Sequence, residues 1–210
     1  MEPVLEIFAA DDFALWPVGE HESYGYLVLN GELTPAEVGT AVMRIADCNA
    51  VEPEDEPEGE GPCPTDPLGA FLHGLLTVSD PFAAGGFRVH DNATGTVFVE
   101  PGCCNGLETW RDWLDMLDGA DGAYFGHDPS SVAERVGDVV RLTLDAHGTD
   151  GGPVIELPVD HVRALTADAQ QDMRDFLRLA APWTEQHIPT HAATVTTALA
   201  RALALTPATR

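Results

Sequence analysis

Residues 139–146, VVRLTLDA, alternate strictly between apolar and polar. Val140, Leu142 and Leu144 fall on one side; Arg141, Thr143 and Asp145 fall on the other. Successive side chains of a strand point to opposite faces, so this run predicts a strand with one face in a core and one in water. Residues 154–159, VIELPV, alternate likewise after the turn-rich HGTDGGP. One-faced strands belong to antiparallel sheets, because the strands of a doubly wound parallel sheet are covered on both faces and read as unbroken apolar runs. FRVHD (87–91) and TVFVE (96–100) flank Asn92-Ala93-Thr94-Gly95 and read as a hairpin. Pro158 has no N–H for a ladder, so the last of these strands is an edge or ends there.

Helical spacing surrounds this sheet pattern. After a strand over about 24–30 and a turn at Asn30-Gly31, TPAEVGTAVMRIADC predicts a helix. Thr34 is its cap, Pro35 its first residue and Glu37 the other half of a capping box, while Val38, Val42 and Ile45 face the core. Asp66-Pro67 starts a second helix whose apolar face is Leu68, Phe71, Leu72, Leu75 and Leu76, with His73 beside it. SVAER (131–135) starts a short helix. Val162, Leu165, Ala169, Met173, Phe176 and Ala180 predict a long amphipathic helix, broken by PWTEQHIPTH; a weaker one follows with Val195, Leu199 and Leu203 aligned. The expected fold class is α+β: a mostly antiparallel sheet packed on one face by helices, with a helical C-terminal segment. The expected division is one domain over 1–180, interrupted by an acidic flexible loop at about 51–66, and a helical appendage over 181–210.

Charge constrains the partners. The 210 residues hold 35 Asp and Glu against 10 Lys and Arg, a formal net charge of −25, and every one of those bases is arginine. Such a surface repels nucleic acid and anionic lipid and attracts basic proteins. A GC-rich genome or a salt-rich cytoplasm produces the same composition with no partner involved. The start, MEPVLEIFAADDF, has no basic segment and no long apolar run, so no signal peptide is expected there; no apolar run spans a bilayer, and a cytoplasmic protein with reduced thiols is expected.

The densest stretch is PGCCNGLETWRDWLDMLDG, 101–119. Asn105 and Glu108 have the spacing of a capping box, Leu107, Trp110, Leu114 and Leu117 form an apolar stripe flanked by Trp113, and Arg111 stands four residues before Asp115. Glu108, Asp112 and Asp115 line the opposite face and are candidates for binding a basic partner. Cys103 and Cys104 precede a helix N-terminus, where thiolate chemistry is favoured. They are the candidate catalytic residues, with His73, His90 or His127 as base, and Cys63 with Cys103 and Cys104 is the alternative metal set. Adjacent cysteines do not easily share one metal, and the plainer reading has one of them packed inward as a small apolar residue. His127 lies before a turn at Asp128-Pro129-Ser130, and Arg88 shares a strand face with His90. Phosphate-binding glycine loops, nucleophile elbows, zinc-protease and calcium-loop motifs are absent, and no cofactor is expected.

VEPGCCNGLETWRDWL, with the preceding GFRVHDNATGTV and the later GHDPS, resembles a group of uncharacterised bacterial proteins that share a Pro-Gly-Cys-Cys, Gly-Leu-Glu, Trp-Arg-x-Trp core. The resemblance covers about residues 85–145 and implies no activity and no site residues. Two functions therefore compete: an acidic interaction module of immunity or inhibitor type that binds a basic protein, which leans away from an enzyme, and a small cysteine- or metal-dependent enzyme centred on Cys103 and Cys104.

Overall fold

The structure is a computed structural model and describes residues 1–8, 12–21, 23–51, 63–148 and 152–205. The acidic loop expected at about 51–66 falls mostly on 52–62, outside the described residues. The elements, in chain order, are β1 (Glu2–Ile7), β2 (Gly25–Val28), α1 (Pro35–Asp47), α2 (Pro67–Thr77), β3 (Gly85–His90), β4 (Val97–Val99), a 3-10 turn (Leu107–Thr109), α3 (Trp110–Leu117), β5 (Ala123–Tyr124), β6 (Val132–Val136), β7 (Val139–Thr143), β8 (Val154–Pro158), α4 (Val159–His187) and α5 (Ala192–Ala202). This is an α+β fold with antiparallel strands and a helical C-terminal segment. The strands divide between two four-stranded sheets, ordered β2-β1-β3-β4 and β5-β6-β7-β8. Among the described residues no helix is long and apolar enough to cross a membrane.

The chain forms two compact units, each assembled from separate stretches: Met1–Leu5 with Ala84–Met173, and Glu6–Ala83 with Arg174–Arg210. The boundary expected between residues 180 and 181 falls inside α4.

In the first unit, Glu2–Leu5 pair with Gly85–Arg88 of β3, and β3 turns back through Asp91–Thr96 into β4. The second sheet follows the alternation read from the sequence. Val140 and Leu142 are buried and Arg141 is exposed opposite Glu156 of β8, where the two form an ion pair of 2.7 Å. Exposed on both sides, that pair contributes at most about 1 kcal/mol. Pro158 stands on β8, the edge strand. SVAER is a strand and not the start of a helix: Val132–Val136 pair residue for residue with Val139–Thr143 across a turn at Gly137-Asp138. Gly137 has φ 64°, which opens a tight hairpin to a sequence whose local preference is helical.

The second unit is mainly helical. Thr34 and Glu37 make the predicted capping box on α1, and Val38, Val42 and Ile45 are buried. Arg44 is buried with them. Its Nε donates to the Glu6 carbonyl at 3.2 Å, its guanidinium pairs with Asp47, and its plane lies 4.5 Å over the Phe8 ring, so the charge is partnered on every side. Asp66 caps α2 at 2.8 Å, with Leu72 and Leu75 buried. Trp16 sits edge-on to Phe13, Phe71 and Trp183 and donates Nε1 to the Gly39 carbonyl at 2.9 Å.

Pro182 does not break α4, contrary to the sequence expectation; the helix runs through it to His187. A proline inside a helix removes one backbone bond and costs about 3 kcal/mol. Phe176, Ala180, Trp183 and Thr184 are buried on both sides of the proline, and the apolar contact they hold offsets that loss.

Candidate metal centre

Cys103 and Cys104 occupy the segment between β4 and the 3-10 turn. His127 occupies the segment between β5 and β6. The two segments are bridged backbone to backbone: Gly102 N–H donates to the Phe125 carbonyl at 2.8 Å and Cys103 N–H to the His127 carbonyl at 2.7 Å. The approach needs glycine on both sides. A Cβ on Gly102 would lie 2.5 Å from the His127 oxygen, and one on Gly126 would lie 2.7 Å from the Cys103 oxygen. Both would collide with backbone, which cannot swing aside.

Three buried groups hold the bridge from beneath. Ser131 Oγ accepts from Glu100 N–H at 3.1 Å and lies 2.9 and 2.8 Å from the Glu100 and Leu144 carbonyls, either of which takes its proton. Phe125 stacks on Trp113 of α3, with centroids 4.5 Å apart and planes at 16°. Asn105 Nδ2 donates to the Gly85 carbonyl at 2.8 Å and to Thr109 Oγ1 at 3.3 Å.

The exposed side of the bridge carries the chemistry. Adjacent residues of an extended chain point apart, but Cys104 has φ 65°, a left-handed backbone that turns its side chain to the side of Cys103. The two Sγ atoms are 3.3 Å apart. Together with a ring nitrogen of His127, the three donor atoms lie within 4.8 Å of one another, and all three residues are exposed. Asp128, next to His127, is also left-handed at φ 57°, and the Asp128–Pro129 bond is cis. Left-handed backbone on a residue other than glycine costs of order 1 kcal/mol and persists only where its surroundings enforce it. Among the described residues, this is the only cluster of three or more His, Cys, Asp or Glu side chains with ligand atoms in common reach.

Several expectations change here. The reading in which one cysteine packs inward is overturned, since Cys103 and Cys104 are both exposed. Of the histidines proposed as partners, His127 joins them. His90 instead lies with Arg88 beside Glu2, whose Oε1 is 3.4 Å from His90 Nε2 and 2.9 Å from Arg88 Nε, and His73 belongs to the second unit. Cys63 is exposed in the second unit and is not a member of the cluster.

Asn105 does not cap a helix. Gly106 precedes the 3-10 turn, and neither that turn nor α3 has a side-chain cap. The 3-10 turn advances each residue by about 120° where an α-helix advances it by about 100°, so three residues rotate the helix behind them by about 60°. The buried stripe runs Leu107, Trp113, Met116 and Leu117, with Trp110 and Leu114 only half-buried. Arg111 lies 5.5 Å over the Trp110 ring.

On the acidic face, Asp112 and Asp115 are exposed, but Glu108 is half-buried and its Oε2 has no hydrogen-bond partner. Burial raises the Glu108 carboxyl above the usual carboxylate range, with Asp112 adding to it. Burial and then Asp115 raise Asp112.

The left-handed turn at Cys104 is what sequence reasoning missed. Its only written trace is the pair of glycines, Gly102 and Gly126, that flank the two arms.

Comparison of the chain with protein-family models, with curated proteins and with solved structures finds no match.

Proposed function

We propose that Cys103, Cys104 and His127 bind a zinc ion, leaving one coordination position open to solvent. The observation that carries this reading is the convergence of two thiols and one imidazole within 4.8 Å on a strained, glycine-dependent bridge. The donor set is soft to borderline and contains no carboxylate, which suits zinc and disfavours magnesium or calcium. With Zn–S near 2.3 Å, tetrahedral coordination places two sulfurs about 3.8 Å apart. The present 3.3 Å is reached from there by a small side-chain rotation. Three protein donors and an open fourth position are the arrangement of catalytic zinc, which polarises a bound water.

Titration of the metal-free chain with zinc against a chromophoric chelator tests the site. One equivalent is expected to bind, and Cys103→Ser, Cys104→Ser and His127→Ala are each expected to weaken it tenfold or more. Cobalt is expected to show sulfur-to-metal charge transfer that the serine variants lose. Equal affinity in all three variants sinks the reading.

The formal charge of −25 favours a second function beside the first: docking on a basic protein, in the manner of an immunity or inhibitor protein. The exposed Asp112 and Asp115 of α3 are the residues assigned to it. A basic protein retained from native lysate at low salt, released at high salt and not retained by the Asp112→Asn/Asp115→Asn variant is the expected result. Equal retention by that variant removes α3 from the reading.

A further inference from the structure

We propose that Cys103 and Cys104 form a reversible vicinal disulfide with each other by exchange with a small-molecule disulfide, and that this oxidation expels the bound metal. The expulsion rests on the zinc reading above; the disulfide does not.

The argument starts from the left-handed backbone of Cys104. In an extended chain the two thiols would point to opposite sides and could react only with outside partners. At φ 65° they share a side, with their sulfurs 3.3 Å apart and both exposed to an incoming reagent. Neither is enclosed by apolar side chains, so no opening of the fold has to precede attack.

The exchange balances in two steps. One cysteine thiolate attacks a sulfur of the disulfide RSSR; a mixed disulfide forms and RS⁻ departs. The neighbouring thiolate attacks the cysteine sulfur of that mixed disulfide; the Cys103–Cys104 bond forms and a second RS⁻ departs. The protein thiols lose two electrons, RSSR gains them, and the two thiol protons pass to the departing thiolates. A metal held by both thiolates then keeps only His127 and leaves.

Reversibility follows from chain geometry. Neighbouring Cα atoms stand about 3.8 Å apart. Unstrained disulfides usually need about 4.4–6.8 Å. The vicinal bond is therefore strained, and strained, exposed disulfides are the readily reduced ones.

The test equilibrates the full-length metal-free chain in glutathione buffers of graded oxidised-to-reduced ratio, then blocks free thiols and measures peptide masses. The expected product is a tryptic 89–111 peptide lighter by two hydrogens, carrying neither blocking group nor glutathione, and restored by reduced glutathione. Cys104→Ser is expected to trap one glutathione on Cys103 instead. Stable glutathione adducts on both cysteines of the unmodified chain, a disulfide-linked dimer, or full blocking at every ratio each overturn the proposal.

A parallel sample loaded with zinc is expected to release one equivalent to a chromophoric chelator as the disulfide forms. Disulfide formation with zinc retained overturns the coupling. A chain that never binds zinc overturns the zinc reading and with it the coupling, while the peptide masses still decide the disulfide.

Discussion

Two helices of this chain are approached through a like pattern of glycine, capping residue and glutamate. Gly31, Thr34 and Glu37 lead into α1; Gly102, Asn105 and Glu108 lead toward α3, each triplet at three-residue spacing. At α1 the letters do what their local chemistry says: the Thr34 side chain accepts Glu37 N–H at 3.3 Å, and the Glu37 carboxylate accepts Thr34 N–H at 2.7 Å. At α3 the matching pattern, with Asn105 in place of a threonine, makes no cap. Thr34 is exposed, with nothing competing for its oxygen, whereas Asn105 is buried against the carbonyl of Gly85. A cap is worth about 1 kcal/mol. Leaving a buried carbonyl without a partner costs about 1–3 kcal/mol. The larger requirement takes the side chain, and α3 begins with an uncapped 3-10 turn.

Matched substitutions sharpen this contrast. The largest difference is expected at the glycines. Gly102→Ala sets a Cβ against the backbone oxygens of His127 and Pro129, at 2.5 and 2.6 Å, and is expected to cost about 3 kcal/mol and to weaken zinc binding. Gly31→Ala meets only the Asp175 side chain, nearest at its Cβ at 3.1 Å, and is expected to cost under about 1 kcal/mol. Urea unfolding of the two variants measures the gap; equal losses would break the comparison. At the next position, Asn105→Ala is expected to cost about 2–3 kcal/mol, because it strands the Gly85 carbonyl. Thr34→Ala is expected to cost about 1 kcal/mol. Asn105→Ala at or below the Thr34→Ala value would show that Asn105 holds nothing of consequence.

The smallest effect carries the clearest sign. Hydrogen bonds from Thr34 hold the Glu37 carboxyl below its ordinary range, so the folded chain binds fewer protons there than the unfolded chain. That stability is present above the ordinary carboxylate pKa and is lost as pH falls through the lowered folded value. Burial places Glu108 the other way: the folded chain binds more protons, and stability falls as pH rises from the ordinary value through the raised one. At pH 8, Glu37→Gln is expected to lower Tm and Glu108→Gln to raise it, each by about 1–3 °C. Both differences shrink toward zero in acid. Thermal unfolding from pH 3 to 8 checks this, and shifts of the same sign would refute it.

Where the sequence could be read, one local preference faced no rival. The alternation of Val140, Arg141 and Leu142, the cap at Thr34 and the stripe from Val162 to Ala180 were all visible, because burial and local propensity agree there. Where it misled, distant contacts overrode local preference. SVAER (131–135) reads as the start of a helix until β7 lies beside it, and Pro182 reads as a stop until Trp183 and Thr184 are seen to be buried beyond it. The site was half legible. Cys103, Cys104 and His127 stood out by chemical type, but their meeting depends on a left-handed Cys104 and on a backbone bridge between segments 24 residues apart in sequence (103 to 127), and neither leaves a periodic trace. The distinction between Asp112 and Glu108 was likewise invisible: Glu108 lies in the 3-10 turn, half-buried with Oε2 unpartnered, while Asp112 lies exposed on α3.

The bridge beneath the thiols has one more consequence. Ligand capture by a mobile loop ordinarily freezes backbone and side chains at the moment of binding, and affinity is reduced by the order lost. Here Gly102 and Cys103 are already tied to Phe125 and His127, and Ser131 anchors the far arm, before anything arrives. Most of the backbone entropy of assembling the three donors is surrendered when the chain folds, leaving only side-chain rotations to be arrested by whatever the corner takes up.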